Sequence, residues 1–126
     1  MTVNHHVPDI RIKRVYAEQE PDDGIRILVD RLWPRGLHKS DVKMEMWPKD
    51  VIPRPELRHW FGHDPAHWDV FQARYQQELS QPNAELERMI TLMKNNTLTL
   101  LYAAHDTEHN HARVLMDYLK HLPAQA

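Results

Sequence analysis

From Asn83 to Leu122 the chain reads as a helix, a strand and a helix in succession, and this constrains the fold more than any other feature. Leu86, Met89, Ile90 and Met93 recur at helical spacing behind Asn83, a residue suited to capping. Asn95-Asn96 ends that run, and Thr97-Leu98-Thr99-Leu100-Leu101-Tyr102-Ala103 follows as a strand. Asp106 or Thr107 then opens a last helix that turns Ala112, Leu115, Tyr118, Leu119 and Leu122 inward. A strand between two amphipathic helices belongs in a layered sheet with parallel crossovers. The expected fold is therefore α/β: a small single-domain sheet of about three to four strands, mixed or parallel, packed by helices.

The first half of the chain supplies the other strands. Ile10 to Tyr16 alternates apolar and polar residues, the period of a strand. Pro21-Asp22-Asp23-Gly24 marks a turn, and Ile25-Arg26-Ile27-Leu28-Val29 is nearly continuous and β-branched, as in a buried central strand. The short connection between them suits a hairpin better than a parallel crossover, which usually needs a dozen residues or more, and the pairing stays open. Val42, Met44 and Met46 alternate loosely before Pro48, the pattern of a short edge strand. Pro55 begins a helix with Leu57, Trp60 and Phe61 on one side and Gly62 as its C-terminal cap. Asp64-Pro65 starts another, with the stripe Trp68, Phe71, Tyr75 and Leu79. Residues 1–9 read as a loose arm, 10–122 as one domain and 123–126 as a tail. At 126 residues such a domain buries about two-thirds of its unfolded surface.

Several function classes are disfavoured. The chain has no cysteine, so disulfides, thiolate zinc sites and thiol nucleophiles are absent. A net charge of -2 gives no general pull toward nucleic acid or anionic lipid. No apolar run approaches the roughly 18–20 residues that span a bilayer, and Met1-Thr2-Val3-Asn4-His5-His6 lacks a secretion-signal pattern. A cytoplasmic protein is expected. Gly24, Gly36 and Gly62 lie too far apart for a phosphate-cradling loop, and no cofactor is expected.

Chemistry concentrates at two strand ends. Leu28-Val29-Asp30-Arg31-Leu32-Trp33-Pro34-Arg35-Gly36 carries an acid, two arginines, a tryptophan and a Pro-x-Gly turn directly behind an apolar strand. In open α/β sheets ligands gather beyond the carboxyl ends of parallel strands. If the two strands run the same way, Arg31 and Arg35 share an edge with Tyr102, Asn110, His111 and the start of the last helix. Paired guanidiniums hold phosphate or carboxylate by planar, bidentate hydrogen bonds, and a helix N-terminus favours the same guest. Trp33 and Tyr102 would complete the pocket. Asp30 is a candidate orienter of an arginine or a general base, and His111 a candidate proton carrier. A plain structural reading competes: Asp30 and Arg31 as an ion pair, Trp33 and Pro34 as core and turn, Arg35 in solvent. Trp33-Pro34 and Trp47-Pro48 are the sites where a cis bond would be sought.

Histidine spacing tempts a metal reading. His105 and His109 stand four apart, as do His59, His63 and His67. However, His105 precedes the expected helix cap, and Gly62 and Asp64-Pro65 interrupt the second set. With 10 histidines in the chain, chance clusters are expected, and no metal site is assigned.

Six blocks together carry a family resemblance. They are Lys13-Arg14-Val15-Tyr16, the block from Leu28 to Gly36, Glu56-Leu57-Arg58, Phe71-x-x-Arg74-Tyr75-x-x-Glu78-Leu79, Leu98-Thr99-Leu100-Leu101-Tyr102, and Asn110-His111-Ala112. On these, from Lys13 to Leu122, the chain resembles a YeaO-like bacterial family of small proteins of unknown function. The resemblance implies no settled activity and no established catalytic residue. It includes Asn110-His111 and leaves His105 and His109 variable, which moves weight from metal binding toward Arg31, Arg35 and His111. Two functions remain: binding of a small anionic ligand at the strand ends, or a non-catalytic interaction module for protein or nucleic acid.

Overall fold

A computed structural model describes residues 9–62 and 64–122. Most of the expected arm, the tail from 123 to 126 and His63 lie outside the described residues. Three strands, β1 (Ile10–Arg14), β2 (Ile25–Leu28) and β3 (Leu98–Tyr102), form one sheet in the order β1-β3-β2. Both pairings are parallel, with Leu98 opposite Ile10 on one side and Ile25 on the other. Four helices form where helices were expected, α1 (Pro55–Phe61), α2 (Trp68–Leu79), α3 (Ala84–Met93) and α4 (His111–Lys120), although the start expected at Asp64-Pro65 is a 3-10 turn ahead of α2 and α4 begins later than expected.

Three expectations about the strands are corrected. β1 and β2 are not a hairpin: they flank β3, and residues 15–24 join them as a short parallel connection without an α-helix. This shortness works because the segment lies against the sheet's polar corner, where Lys13 Nζ donates to the Glu18 carbonyl (3.1 Å) and the Glu20 carboxylate (3.0 Å). The central strand is β3, buried at all five positions, and not β2. Finally, Val42 to Trp47 forms no strand. It gives one parallel bridge, Ile27 with Met46, alongside the bonds Leu28 N to Met46 O (3.0 Å) and Glu45 N to Arg26 O (2.8 Å). That is enough to shield the outer edge of β2.

The two faces of the sheet are built differently. Ile10, Ile27, Leu98 and Leu100 face the helices and join Phe71, Tyr75, Met89 and Leu115 in the main core. Phe71, Tyr75 and Leu79 repeat every four residues, so one stripe of α2 is buried, and α2 packs on α4. Fully burying each such side chain contributes roughly 1.5–3 kcal/mol. Tyr75 also donates its hydroxyl to Val51 O at 2.6 Å, so its polar atom is satisfied. On the opposite face, Val15, Leu28, Val42 and Leu101 form a smaller cluster with Trp33 and Trp47 against it.

Helix ends follow their sequence signals with one exception. Gly62 closes α1 in the left-handed region (φ 53°), and the Asn83 side chain caps α3 by accepting from Glu85 N and Leu86 N. The cap of α4, however, is Asn110 rather than Asp106 or Thr107, its side chain accepting from Arg113 N at 3.0 Å. Asp106 instead caps the preceding turn through Glu108 N and His109 N, both at 2.9 Å, and those backbone donors hold its carboxyl below the ordinary value. Among the described residues every peptide bond is trans, both tryptophan–proline bonds included, and no helix is long and apolar enough to cross a membrane.

Candidate functional site

Because β2 and β3 run in parallel, their carboxyl ends emerge side by side, and the start of α4 returns to the same edge. A cleft of about 1310 Å3 opens there. The segment after β2 lines it with Asp30, Arg31, Leu32, Trp33, Pro34 and Arg35. The junction after β3 contributes Ala103, Ala104, Asn110 and His111, and α1 contributes Arg58, His59, Trp60 and Phe61. The structure thus brings together Asp30, Arg31, Trp33, Arg35, Asn110 and His111. Tyr102 is not among the residues that line the cleft. It is 3% exposed in the main core, and burial raises its hydroxyl pKa above the usual value.

The segment from Asp30 to Gly36 is held from several sides. Trp47 Nε1 donates to Asp30 O (2.7 Å), Trp33 Nε1 donates to Leu37 O (2.7 Å), and the Tyr16 hydroxyl donates to Arg35 O (2.9 Å). Trp33 and Trp47 meet edge-on with ring centroids 5.7 Å apart. Gly36 takes φ +84°, the left-handed conformation that completes this turn. Arg14 secures the facing edge by donating to Ala103 O (3.0 Å) and Ala104 O (3.1 Å). The cleft is therefore bounded by fixed backbone.

Asp30 and His111 join the three elements. Asp30 Oδ2 accepts from Ala103 N at 2.8 Å, tying the end of β2 to the end of β3. His111 Nε2 lies 2.5 Å from Val29 O and 3.2 Å from Asp30 Oδ1. A ring nitrogen between two oxygen acceptors carries the hydrogen, which assigns the Nε2–H tautomer to the neutral ring. The carboxylate expected to orient an arginine instead orients a histidine and a backbone amide. Asn110, 1% exposed, donates Nδ2 to Asp106 O (2.9 Å) while capping α4, so its amide shapes the cleft edge through the backbone.

Arg31 and Arg35 are exposed, and no ion pair involves either of them among the described residues. Arg58 was not anticipated as a site residue. Its Nε is buried without a hydrogen-bond partner among the described residues, an arrangement that costs on the order of 1–3 kcal/mol or more for a charged group. The sequence did hold a signal for it: Arg58 adjoins Leu57 and stands one turn before Phe61, both buried, so a cation occupies the margin of an apolar helix stripe.

His67, His109 and His111 have separate partners, and His63 lies outside the described residues. His109 Nδ1 pairs with Asp106 at 3.0 Å, His111 with Asp30, and His67 stacks on Trp60 with centroids 4.3 Å apart. Among the described residues no three histidine or acidic side chains come together as a metal site.

With this geometry in view, the comparisons with known proteins are specific. The model of the family described as the "Inactive DUF488-N3 subclade" matches residues 9–125. The chain belongs to that family. It is 45% identical over 114 residues to the uncharacterized protein YeaO of Escherichia coli (strain K12), covering 90% of this chain and 99% of that protein. It is 42% identical over 110 residues to the uncharacterized proteins Mb3100c of Mycobacterium bovis and Rv3073c of Mycobacterium tuberculosis, covering 87% of this chain and 92% of each. The YeaO-like resemblance is thereby established. No solved structure gives a significant match.

Proposed function

We propose that the chain binds a small oxyanion, a phosphate or carboxylate group, in the strand-end cleft, with Arg31 and Arg35 as its ligands. One observation carries this reading. Arg11, Lys13 and Arg26 each pair with an acid in the fold, whereas Arg31 and Arg35 form no ion pair among the described residues, although Asp30 and Glu56 line the same cleft. Guanidiniums left unpaired beside a preformed concave site match a planar oxyanion guest. Asp30 and His111 then act as positioning residues that clamp β2, β3 and α4 together. The description of the family as an inactive subclade favours binding without turnover.

The test is a thermal-shift titration with inorganic phosphate, with the double variant Arg31→Ala/Arg35→Ala as control. Stabilisation of the unmodified protein that disappears in the variant is expected, since a ligand of the native state raises the melting temperature by mass action. An equal shift in both would place the anion elsewhere. The second reading, a non-catalytic interaction module for protein or nucleic acid, is favoured by Leu32, 76% exposed beside Arg31. Its nucleic-acid form requires affinity that falls steeply with salt.

A further inference from the structure

Arg58 projects from α1 into the same cleft as Arg31 and Arg35, and it differs from them in having a buried, unpartnered Nε. Much of the remaining lining is apolar: Trp33, Pro34, Ile52, Trp60, Phe61 and Phe71. The two tryptophans are fixed before any guest arrives. Trp33 is held by its bond to Leu37 O and by Trp47, and Trp60 by stacking on His67 and by Arg74, whose guanidinium lies 4.9 Å from the ring centroid. A volume of about 1310 Å3 also far exceeds what a bare oxyanion occupies, and it lies above the usual small-ligand range of roughly 300–1,000 Å3. Glu56 lines the cleft too, an acid that disfavours a polyanion.

Resting on the anion-binding reading, we propose that Arg58 is the inner anchor of the anion. The ligand it serves is an aromatic or heterocyclic ring carrying one phosphate or carboxylate group. The charged group meets Arg58 together with the outer arginines, and the ring packs on the apolar lining to which Trp33 and Trp60 contribute. Preformed aromatic surfaces favour such a body because little ordering entropy is lost on binding. The buried Nε fixes the side chain from below, and it is the remainder of the guanidinium that faces the guest.

The experiment is calorimetric titration of the full chain with adenosine 5′-monophosphate, indole-3-acetate and inorganic phosphate, using the unmodified protein, Arg58→Gln, Arg58→Met and Arg35→Ala. At least one ring-bearing probe should bind about tenfold or more tightly than inorganic phosphate, and Arg58→Gln should weaken it by about tenfold or more. Which ring-bearing probe binds better distinguishes a phosphate from a carboxylate guest. A second readout separates anchoring from packing. The unliganded Arg58→Met protein should melt at the same or a higher temperature, because an apolar chain replaces an unsatisfied buried donor. A lower melting temperature with unchanged affinity would make Arg58 structural and overturn the proposal. Ring-bearing probes no tighter than phosphate would overturn the ligand class. Phosphate binding lost in Arg35→Ala and untouched in Arg58→Gln would leave the anion site standing and remove Arg58 from it. No binding by any probe would overturn both readings.

Discussion

On the second face of the sheet Arg26 donates to the Asp23 carboxylate and to Lys43 O (2.6 Å), and it is 4% exposed. At the strand ends Arg31 and Arg35 lie exposed with no acid paired to them among the described residues. The first region is closed. Asp23 accepts from Arg26, from Lys13 Nζ (2.8 Å) and from Glu20 N (3.1 Å), while its carbonyl accepts from the Thr99 hydroxyl (2.6 Å). Burying charge is tolerable only when each group is paired and hydrogen-bonded, and this cluster meets that condition. The cleft region also holds cations on fixed backbone, but the acids that line it, Asp30 and Glu56, form no ion pair with Arg31 or Arg35 among the described residues. The difference separates cations that hold the fold from cations that no acid of the fold engages among the described residues.

The contrast is broken most directly at Asp23. Asp23→Ala strands two cations, and urea unfolding should show a loss of about 3–5 kcal/mol, the range for removing one partner of a buried pair. A loss below about 1 kcal/mol would mean that the cluster is no more structural than a surface pair. Its pH dependence has a definite sign. Burial raises the Asp23 pKa, but hydrogen bonds from Lys13, the Glu20 amide and Arg26 outweigh it and leave the carboxyl below its ordinary value. A depressed carboxyl contributes stability that is present above the unfolded value of 3.8 and lost as pH falls through the lower folded value. For Lys13, the hydrogen bond to Asp23 raises the ammonium pKa, so its contribution is present below 10.5 and lost above it. Stability measured against pH should therefore fall at both extremes, and Asp23→Asn should blunt both limbs.

Gly24→Ala tests the closed region by shape rather than charge. At φ +68° a Cβ would stand 2.3 Å from Thr97 O, the acceptor of Ile25 N. Strain of on the order of 1–3 kcal/mol is expected, read as a lower denaturation midpoint with an unchanged slope. In the cleft, Asn110→Ala should cost about 1 kcal/mol through loss of the α4 cap, and it should weaken anion binding because the β3–α4 junction moves. Arg35→Ala has the smallest expected effect on stability, within about 0.5 kcal/mol, while phosphate binding is lost. Cooperative unfolding of Arg35→Ala at much lower denaturant would erase the contrast between the two regions.

Local signals carried the helices. Pro55 and Gly62 bracket α1, Asn83 caps α3, and the Phe71, Tyr75, Leu79 stripe faces the core, each read from residues three to eight apart. The concentration of chemistry behind β2 was likewise readable, since an acid, two arginines and a Pro-x-Gly turn follow an apolar strand without interruption. Strand order was not. Period and length describe one segment at a time, and nothing in Ile10–Arg14 or Ile25–Leu28 reveals that β3, some seventy residues later, inserts between them. The same limit explains why Tyr102 was expected in the cleft and lies in the core, and why Asp30 was expected to orient an arginine and instead holds Ala103 and His111. Composition and periodicity mark the apolar stripes such as Phe71, Tyr75 and Leu79, because their burial follows from local spacing, but they do not mark the buried Asp23, Arg26 and Asn110. Which charges meet depends on how far apart the partners lie: Asp23 takes Arg26 from three residues on and Lys13 from ten residues back, whereas Asp30 reaches Ala103 and His111 only once β2, β3 and α4 have packed, and among the described residues that packing pairs no acid with Arg31 or Arg35.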